Sequence, residues 1–327
     1  MSALLDPGPT TVLRVEAVDS SPPPGVDRER LRIGASQVLM GLSLVLVWAL
    51  LYLFVLSGLE QAHAQSALYG RLRTELAEGT APTGAPIALG SPVALISIPG
   101  AGVKDLVVVE GSRPTQLQDG PGHMLGSVLP GQQGVSVVAG HSLSFGGPFS
   151  RIDGLTRGSL IKVTTAQGSF AFEVLGVRTK GDPVPAALAA GAARLTLVTA
   201  GRGLGPAGDD VEVPDALKSG EPAARSVLDN LAASDSVFVD AELAAGVPAG
   251  PVATADPDAK LMTVSADTTT LALLALALQL LVGALVAFAW AWTRWSRPAA
   301  WIALGPGVLA TLWLASSIGS RLLPGLV

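Results

Sequence analysis

The chain contains no cysteine among its 327 residues. This absence excludes a disulfide-stabilised scaffold, because no disulfide can form. It also excludes a thiolate nucleophile and any zinc or iron–sulfur site that cysteine would ligate. The absence does not determine the compartment, since a protein without disulfides can lie on either side of a membrane.

Charged residues are also scarce. They make up 14% of the chain, whereas a typical soluble domain has about 25%. The mean hydropathy of +0.49 is not expected of a wholly soluble protein and predicts membrane-spanning segments. The formal net charge is −5, so the sequence has no basic footprint for nucleic acid and no nucleic-acid partner is expected.

Three long runs without a charged residue account for the high hydropathy. They cover residues 33–59, 268–293 and 298–320, which are 27, 26 and 23 residues long. Because a helix needs about 20 apolar residues to cross a bilayer, each run predicts a transmembrane helix. Pro306 lies between two glycines in the third run, which predicts a kink or an early end of that helix.

Arginines determine the expected orientation of these helices. Three lie within residues 28–32, just before the first run, and two more lie within residues 294–297, between the second and third runs. The positive-inside rule places both groups in the cytoplasm. We therefore predict a multi-pass protein of the cell membrane with a cytoplasmic N-terminus, an extracellular segment 60–267 and an extracellular C-terminus.

The segment between the first two runs contains short stretches rich in Val, Ile, Thr and Phe, separated by Gly and Pro. Such stretches are typical of β-strands. The candidate strands are residues 93–98, 106–110, 134–139, 160–165, 169–177, 194–199 and 237–240. Seven or eight short strands over roughly 150 residues indicate a small barrel or sandwich.

A set of ordered motifs in this segment resembles the sortase family. The main ones are Asp119-Gly120-Pro121-Gly122-His123-Met124, Val138-Ala139-Gly140-His141 and Leu195-Thr196-Leu197-Val198-Thr199-Ala200, with further matches at 130–134, 145–149, 152–155, 158–161 and 237–243. The likeness covers residues 92–244 and is closest to the class E-like sortases of high-GC Gram-positive bacteria. It implies a mainly β fold, a sortase-like eight-stranded β-barrel, accompanied here by three transmembrane α-helices.

The resemblance also implies a chemistry that this chain lacks in part. Sortases of this kind cleave a sorting-signal peptide with a cysteine thiolate, while a histidine moves protons and an arginine stabilises the oxyanion or the substrate. His141 matches the histidine, but Ala200 stands at the position of the cysteine. The arginine position falls on Ser236 if the last strand is 237–243, which has the better strand pattern, or on Asp210 if it is 211–213. Two of the three catalytic groups are therefore absent.

Several interpretations of these losses remain open. We favour a catalytically inactive, membrane-anchored sortase-like protein that acts as a binding or scaffold subunit in a cell-envelope assembly. One alternative is an active cysteine transpeptidase that carries an engineered Cys-to-Ala change. Another is an unconventional transpeptidase or hydrolase with Thr199 or Ser142 as the nucleophile and His141 as its base. The last is a structural spacer whose groove binds nothing.

By resemblance, the candidates for peptide binding in the groove are His141, Thr199, Ala200, Arg202 and His123. Arg202 would supply a displaced positive charge, and His123 belongs to a Gly-Pro-Gly-His turn in which a structural role is expected. No third ligand accompanies the two histidines, so no metal is expected, and no cofactor is implied. The expected partner is an envelope or membrane protein, or a sorting-signal-like peptide segment.

These patterns divide the chain into consecutive segments. They are a disordered cytoplasmic tail (1–32), the first transmembrane helix (33–59), a stalk and linker (60–91), the barrel (92–244), a linker (245–267), the second and third transmembrane helices (268–293 and 298–320) and an extracellular tail (321–327). The barrel includes an insertion at 201–235. We interpret the insertion as a loop that reshapes the groove, or alternatively as a tolerated surface loop.

Overall fold

The computed structural model describes residues 43, 45, 47–179, 181–200, 236–255, 268–322 and 326. The chain divides into two compact units, Met1–Val47 and Trp48–Val327. In the first unit, the described residues Ser43, Val45 and Val47 are helical and exposed. The predicted tail 1–32, residues 33–42, 44 and 46 of the first run, and the insertion 201–235, with Arg202 and Asp210, lie outside the described residues.

Eight strands form a closed barrel in the spatial order β1-β2-β3-β4-β7-β8-β6-β5. They are β1 Pro92–Ile98, β2 Val103–Glu110, β3 Gly122–His123, β4 Gly134–Ala139, β5 Leu160–Thr165, β6 Gly168–Arg178, β7 Ala193–Ala200 and β8 Ser236–Leu243. The predicted eight-stranded β-barrel is thus confirmed. Seven strands coincide with the predicted stretches, whereas β3 has only two residues and is too short to show an alternating pattern.

The barrel is filled by apolar side chains from alternate strand positions, as closure of a small barrel requires. Ile96, Val138, Leu195, Leu197 and Val239 are among the fully buried residues of this core. Strand β7 is buried along its whole length and pairs in parallel with β4. Because both faces of β7 are buried, other parts of the chain pack against the face that points away from the barrel interior.

In the described part of the chain, three helices are long and apolar enough to cross a membrane: α1 Val47–Glu78, α3 Thr268–Arg294 and α4 Arg297–Ser320. Helix α1 contains one π-helical stretch, Tyr52–Leu56, and runs past residue 59, where the sequence predicted the end of the span. It ends at Gly79, whose positive φ of 70° closes the last turn.

Of the two effects predicted for Pro306, a kink or an early end, the early end does not occur, because α4 continues through Pro306. Proline inside a spanning helix is tolerated where local adjustments satisfy the freed backbone groups. At the turn between α3 and α4, the rings of Trp290 and Trp295 lie 6.2 Å apart, and the Arg297 guanidinium lies 5.7 Å from the Trp292 ring. Tryptophans therefore crowd this turn.

Helices α1 and α4 reach the barrel with their C-terminal parts. On α1, the Gln65 side-chain amide donates to the carbonyl oxygens of Val107 (3.0 Å) and Asp119 (2.8 Å) and accepts from the Val107 N–H (2.8 Å). On α4, Ser320 Oγ accepts from the Gln118 amide at 3.1 Å. Gln118 and Asp119 follow the short helix α2, Pro114–Leu117, so both long helices meet the same side of the barrel.

The segment after β8 also packs on the barrel in its described part. The Val247 N–H donates to the Gly131 carbonyl at 2.9 Å, and the Pro251 carbonyl accepts from the Ala85 N–H at 2.7 Å. The predicted flexible linker 245–267 is therefore held against the barrel where it is described.

Candidate functional site

Three adjacent strands bring the family's three catalytic positions to one end of the barrel. In the parallel β4–β7 pair, Ala139 is the partner of Val198, and the Gly140 N–H donates to the Val198 carbonyl at 3.0 Å. His141 thus follows β4 at the level where β7 ends with Ala200. In the antiparallel β7–β8 pair, Ala200 is the partner of Ser236. Ser236, one of the two positions predicted for the arginine, thus lies beside Ala200, whereas the other, Asp210, lies outside the described residues.

His141 is 4% exposed and is held by its own loop. Its Nδ1 lies 3.1 Å from Ser144 Oγ, its ring lies 5.0 Å from the Phe145 ring, and its carbonyl accepts from the Phe149 N–H at 3.0 Å. The loop turns sharply because Phe145 and the glycines after it adopt positive φ, a conformation that glycine adopts readily.

The same loop is fixed to α1. Ser57 Oγ accepts from the Phe145 N–H at 3.0 Å, and a Cβ on Gly146 would lie 2.6 Å from Gln61 Oε1. The side chain of Ser57 is fully buried. The first apolar helix and the loop that carries His141 are therefore in direct contact.

An apolar cluster lies on the outside of β4, β7 and β8. We call it the outer cluster, and it comprises Leu117, Met124, Val137, Ala139, Val198, Ala200, Phe238 and Leu326. Its strand members alternate with the barrel core, so Val198 and Ala200 face the outer cluster while Leu197 faces the interior. The site is thus a buried apolar cluster at the end of the barrel where β7 ends and His141 follows β4.

Both hydroxyl groups considered as nucleophiles are bonded to backbone carbonyls. Thr199 Oγ1 donates to the Gly140 carbonyl at 2.9 Å, and Ser142 Oγ donates to the Leu326 carbonyl at 3.2 Å. A hydroxyl nucleophile needs a base within hydrogen-bond reach to accept its proton. Both hydroxyls thus donate to backbone carbonyls rather than to His141, a geometry that does not favour a nucleophilic role for either.

An arginine that the sequence analysis missed lies beside the outer cluster. Arg178 Nε donates to Asp240 Oδ2 at 2.6 Å, and the guanidinium carbon lies 4.3 Å from the Phe238 ring. Thr196 Oγ1 donates to the other carboxylate oxygen of Asp240 at 2.7 Å. Because Arg178 is at the end of β6, only the β6–β8 register, in which it partners Phe238, identifies this position.

His123 is buried and makes its contacts within the barrel wall. It is 2% exposed, its Nδ1 lies 2.8 Å from Glu110 Oε2, and its Nε2 lies 2.9 Å from the Val128 carbonyl. Glu110 and His123 are partners in the β2–β3 ladder, so the contact joins two strands of the barrel wall. Among the described residues, no three His, Asp or Glu side chains form a group that could hold a metal ion.

The barrel is similar in sequence to a known protein family and in structure to several solved proteins. Residues 96–203 match the sortase domain family model. A sortase D5 transpeptidase from Clostridium perfringens is 22% identical, with a TM-score of 0.40 over 55% of this chain and 98% of that one. A sortase C from the same organism, solved with a C-terminal cell wall sorting motif, is 20% identical, with a TM-score of 0.34 over 56% of this chain and 89% of that one.

Sortase A from Corynebacterium diphtheriae is 18% identical, with a TM-score of 0.33 over 59% of this chain and 86% of that one. No curated protein matches the sequence. The family match begins in β1 and extends just beyond β7. Residues 96–203 are therefore similar to a sortase domain, and the described part of the chain has three further helices that are long and apolar enough to cross a membrane.

Proposed function

We propose that this chain is a membrane-anchored pseudo-sortase of the class E-like type, and that its barrel acts as a binding or scaffold subunit in a cell-envelope assembly. The observation that carries the proposal is the pairing of Ala200 with Ser236. A methyl group cannot attack a peptide carbonyl, and no cysteine elsewhere in the chain can replace the missing thiolate.

The electrostatics of the site support the same conclusion. Transpeptidation develops negative charge on the attacked carbonyl oxygen, which a positioned donor must stabilise. Ser236 is neutral and cannot supply a positive charge. The nearby Arg178 forms an ion pair with Asp240, in which Nε and Oδ2 lie 2.6 Å apart. A carboxylate beside the guanidinium offsets its charge, which weakens any stabilisation of an oxyanion.

The parts of the site that bind rather than react are retained. The outer cluster forms a buried apolar floor that includes Ala200, and the loop after His141 is fixed on α1 through Ser57. An apolar groove with a few convergent polar groups is the usual form of a ligand site. We infer that this groove takes a sorting-signal-like peptide or a segment of an envelope protein.

The helices support a membrane location for this function. Contacts of Gln65 on α1 and Ser320 on α4 with the barrel are consistent with both helices leaving the membrane on the barrel side. Since the arginines at 28–32 and 294–297 favour the cytoplasm, the barrel side would be extracellular. A single anchor suffices for an enzyme, so two additional helices favour a subunit of a larger assembly.

Activity and binding can be separated in one experiment on the full chain in detergent micelles. The chain is incubated with a sorting-signal peptide and an amine acceptor, products are followed by mass spectrometry, and peptide binding is followed by fluorescence anisotropy. We expect saturable binding without cleavage. Cleavage that is lost in the His141→Ala variant would refute the proposal, and absence of any binding would favour the structural spacer.

Two further observations address the remaining alternatives. Reading codon 200 in the genome distinguishes a natural alanine from an engineered one. Isolation of the full chain from native membranes should recover it with at least one envelope protein. Recovery as a lone monomer would contradict the assembly role.

A further inference from the structure

The outer cluster is closed by a residue that lies beyond the last helix. Leu326 is six positions after Ser320, the last residue of α4, and its exposure is 0%. Its side chain belongs to the same cluster as Ala200 and Phe238. The surface next to the nucleophile position is therefore covered by this chain itself.

The backbone of Leu326 is bound as well as its side chain. The Leu326 carbonyl accepts from the Ser142 N–H at 3.0 Å and from Ser142 Oγ at 3.2 Å. Ser142 directly follows His141, the one catalytic residue of the family that this chain keeps. A carbonyl held by a backbone N–H, with an aliphatic side chain on an apolar floor, is how an extended peptide residue binds beside a strand.

The end of α4 is fixed to the barrel, and this keeps Leu326 close to the outer cluster. Ser320 is fixed to the barrel by the Gln118 amide, and six residues reach at most about 20 Å. A tethered group within such a short reach has an effective concentration of the order of millimolar. Leu326 thus meets the outer cluster far more often than a dilute peptide in solution would.

We propose that Leu326 is an intramolecular ligand of the groove, and that it competes with any peptide that a partner supplies. This inference rests on the proposed binding function of the same site. The ligand class is a peptide that has an aliphatic side chain and whose carbonyl accepts from Ser142. Leu326 regulates binding at this site, because a partner must displace Leu326 before its own peptide can bind.

The first test measures occupancy without any added peptide. The chain has no cysteine, so the double variant Ser142→Cys/Leu326→Cys contains one possible disulfide. The Ser142–Leu326 hydrogen bonds bring the two residues within reach of a disulfide, which requires Cα atoms less than about 7 Å apart. We expect rapid intramolecular crosslinking of the full chain under mild oxidation. The matched control pairs Leu326→Cys with Lys162→Cys on β5 and should not crosslink.

The second test measures competition. The probe is a fluorescein-labelled peptide with the sequence of residues 322–327, Leu-Leu-Pro-Gly-Leu-Val, added to the full chain in detergent. We expect the Leu326→Asp variant to bind it at least tenfold more tightly than the wild type, because the aspartate does not occupy an apolar floor. The conservative Leu326→Met variant should bind the probe as weakly as the wild type.

The outcomes distinguish this inference from the proposed function. A failure of Ser142→Cys/Leu326→Cys to crosslink, or equal probe binding by all three chains, would overturn the inference whatever the result with a sorting-signal peptide. Crosslinking with a gain of probe affinity supports it. That same result combined with cleavage of a sorting-signal peptide would refute the pseudoenzyme proposal and still leave Leu326 as the occupant of the groove.

Discussion

Ala200 and Ser236 are direct partners across the β7–β8 ladder, and the resemblance to sortases predicts a catalytic cysteine at the first position and a catalytic arginine at the second. Their adjacency means that a thiol at 200 and a guanidinium at 236 would lie side by side. A positive charge next to a thiol favours the thiolate and lowers the pKa of the thiol. Without the guanidinium, a thiol at position 200 would be a weaker nucleophile at neutral pH. Without the thiol, a guanidinium at position 236 would have no thiolate to stabilise.

This relationship predicts the reactivity of restored side chains. Both variants carry Leu326→Ala to uncover position 200. The thiol of Ala200→Cys/Ser236→Arg should be alkylated by iodoacetamide several-fold faster at pH 7 than the thiol of Ala200→Cys alone. The pH profile of alkylation measures the effect, and Ser236→Gln is the neutral control. Equal profiles for the arginine and glutamine variants would show that the two positions are not coupled.

The Glu110–His123 pair predicts a large loss of stability on truncation. Both side chains are 3% exposed and 2.8 Å apart, so Glu110→Ala leaves a buried polar ring without its acceptor. Leaving a buried hydrogen-bonding group without its partner typically costs about 1–3 kcal/mol. Thermal unfolding of the full chain in detergent should show a clearly lower midpoint.

Glu110→Gln is the matched control, because its amide oxygen still accepts from the ring. It should lose less stability than Glu110→Ala. If both variants unfold at the wild-type midpoint, the pair does not stabilise the barrel wall.

Much of the barrel could be predicted because its strands are regular. Strands β4 and β5 coincide with the predicted stretches at both ends, since turn residues bound continuous β-branched runs. Strand β3 was not predicted, because it consists of only two residues, Gly122 and His123. Its existence depends on neighbours β2 and β4, which a local pattern does not contain.

The candidate site shows the same limit. The sequence placed His141, Ala200 and Ser236 at equivalent family positions, because each lies next to a recognisable strand. Arg178 and Leu326 were missed, since they reach the outer cluster only through the β6–β8 register and through the return of the chain after α4. Contacts between residues far apart in the chain leave no periodic signal in the sequence.

Gly140 predicts a packing effect at the residue before His141. A Cβ at this position would lie 2.6 Å from Cδ2 of Phe149, and Phe149 is a fully buried member of the barrel core. Gly140→Ala should destabilise the chain by about 1–3 kcal/mol, as overpacking of a core does. Gly154→Ala is the control, because no heavy atom lies within 4 Å of its added Cβ. Equal unfolding midpoints for the two variants would show that the loop adjusts freely.

Asp119 predicts a pH dependence of stability at the junction of the barrel and the helices. Partial desolvation raises the pKa of its carboxyl above the ordinary value, the Arg321 charge opposes the rise, and the Glu60 charge adds to it. The folded chain therefore binds the proton more firmly than the unfolded chain does. As the pH increases from below 3.8 through the raised pKa, the contribution of Asp119 to stability should fall and then level off.

The measurement compares the free energy of unfolding of the wild type and of Asp119→Asn across this pH range. The difference, wild type minus variant, should decrease as the pH rises, because only the wild type loses a proton at this position. Arg321→Gln should extend the decrease to higher pH, since removing the cation raises the pKa of Asp119 further. A difference that increases with pH would mean that the pKa of Asp119 is lowered on folding, and would contradict the environment described for this carboxyl.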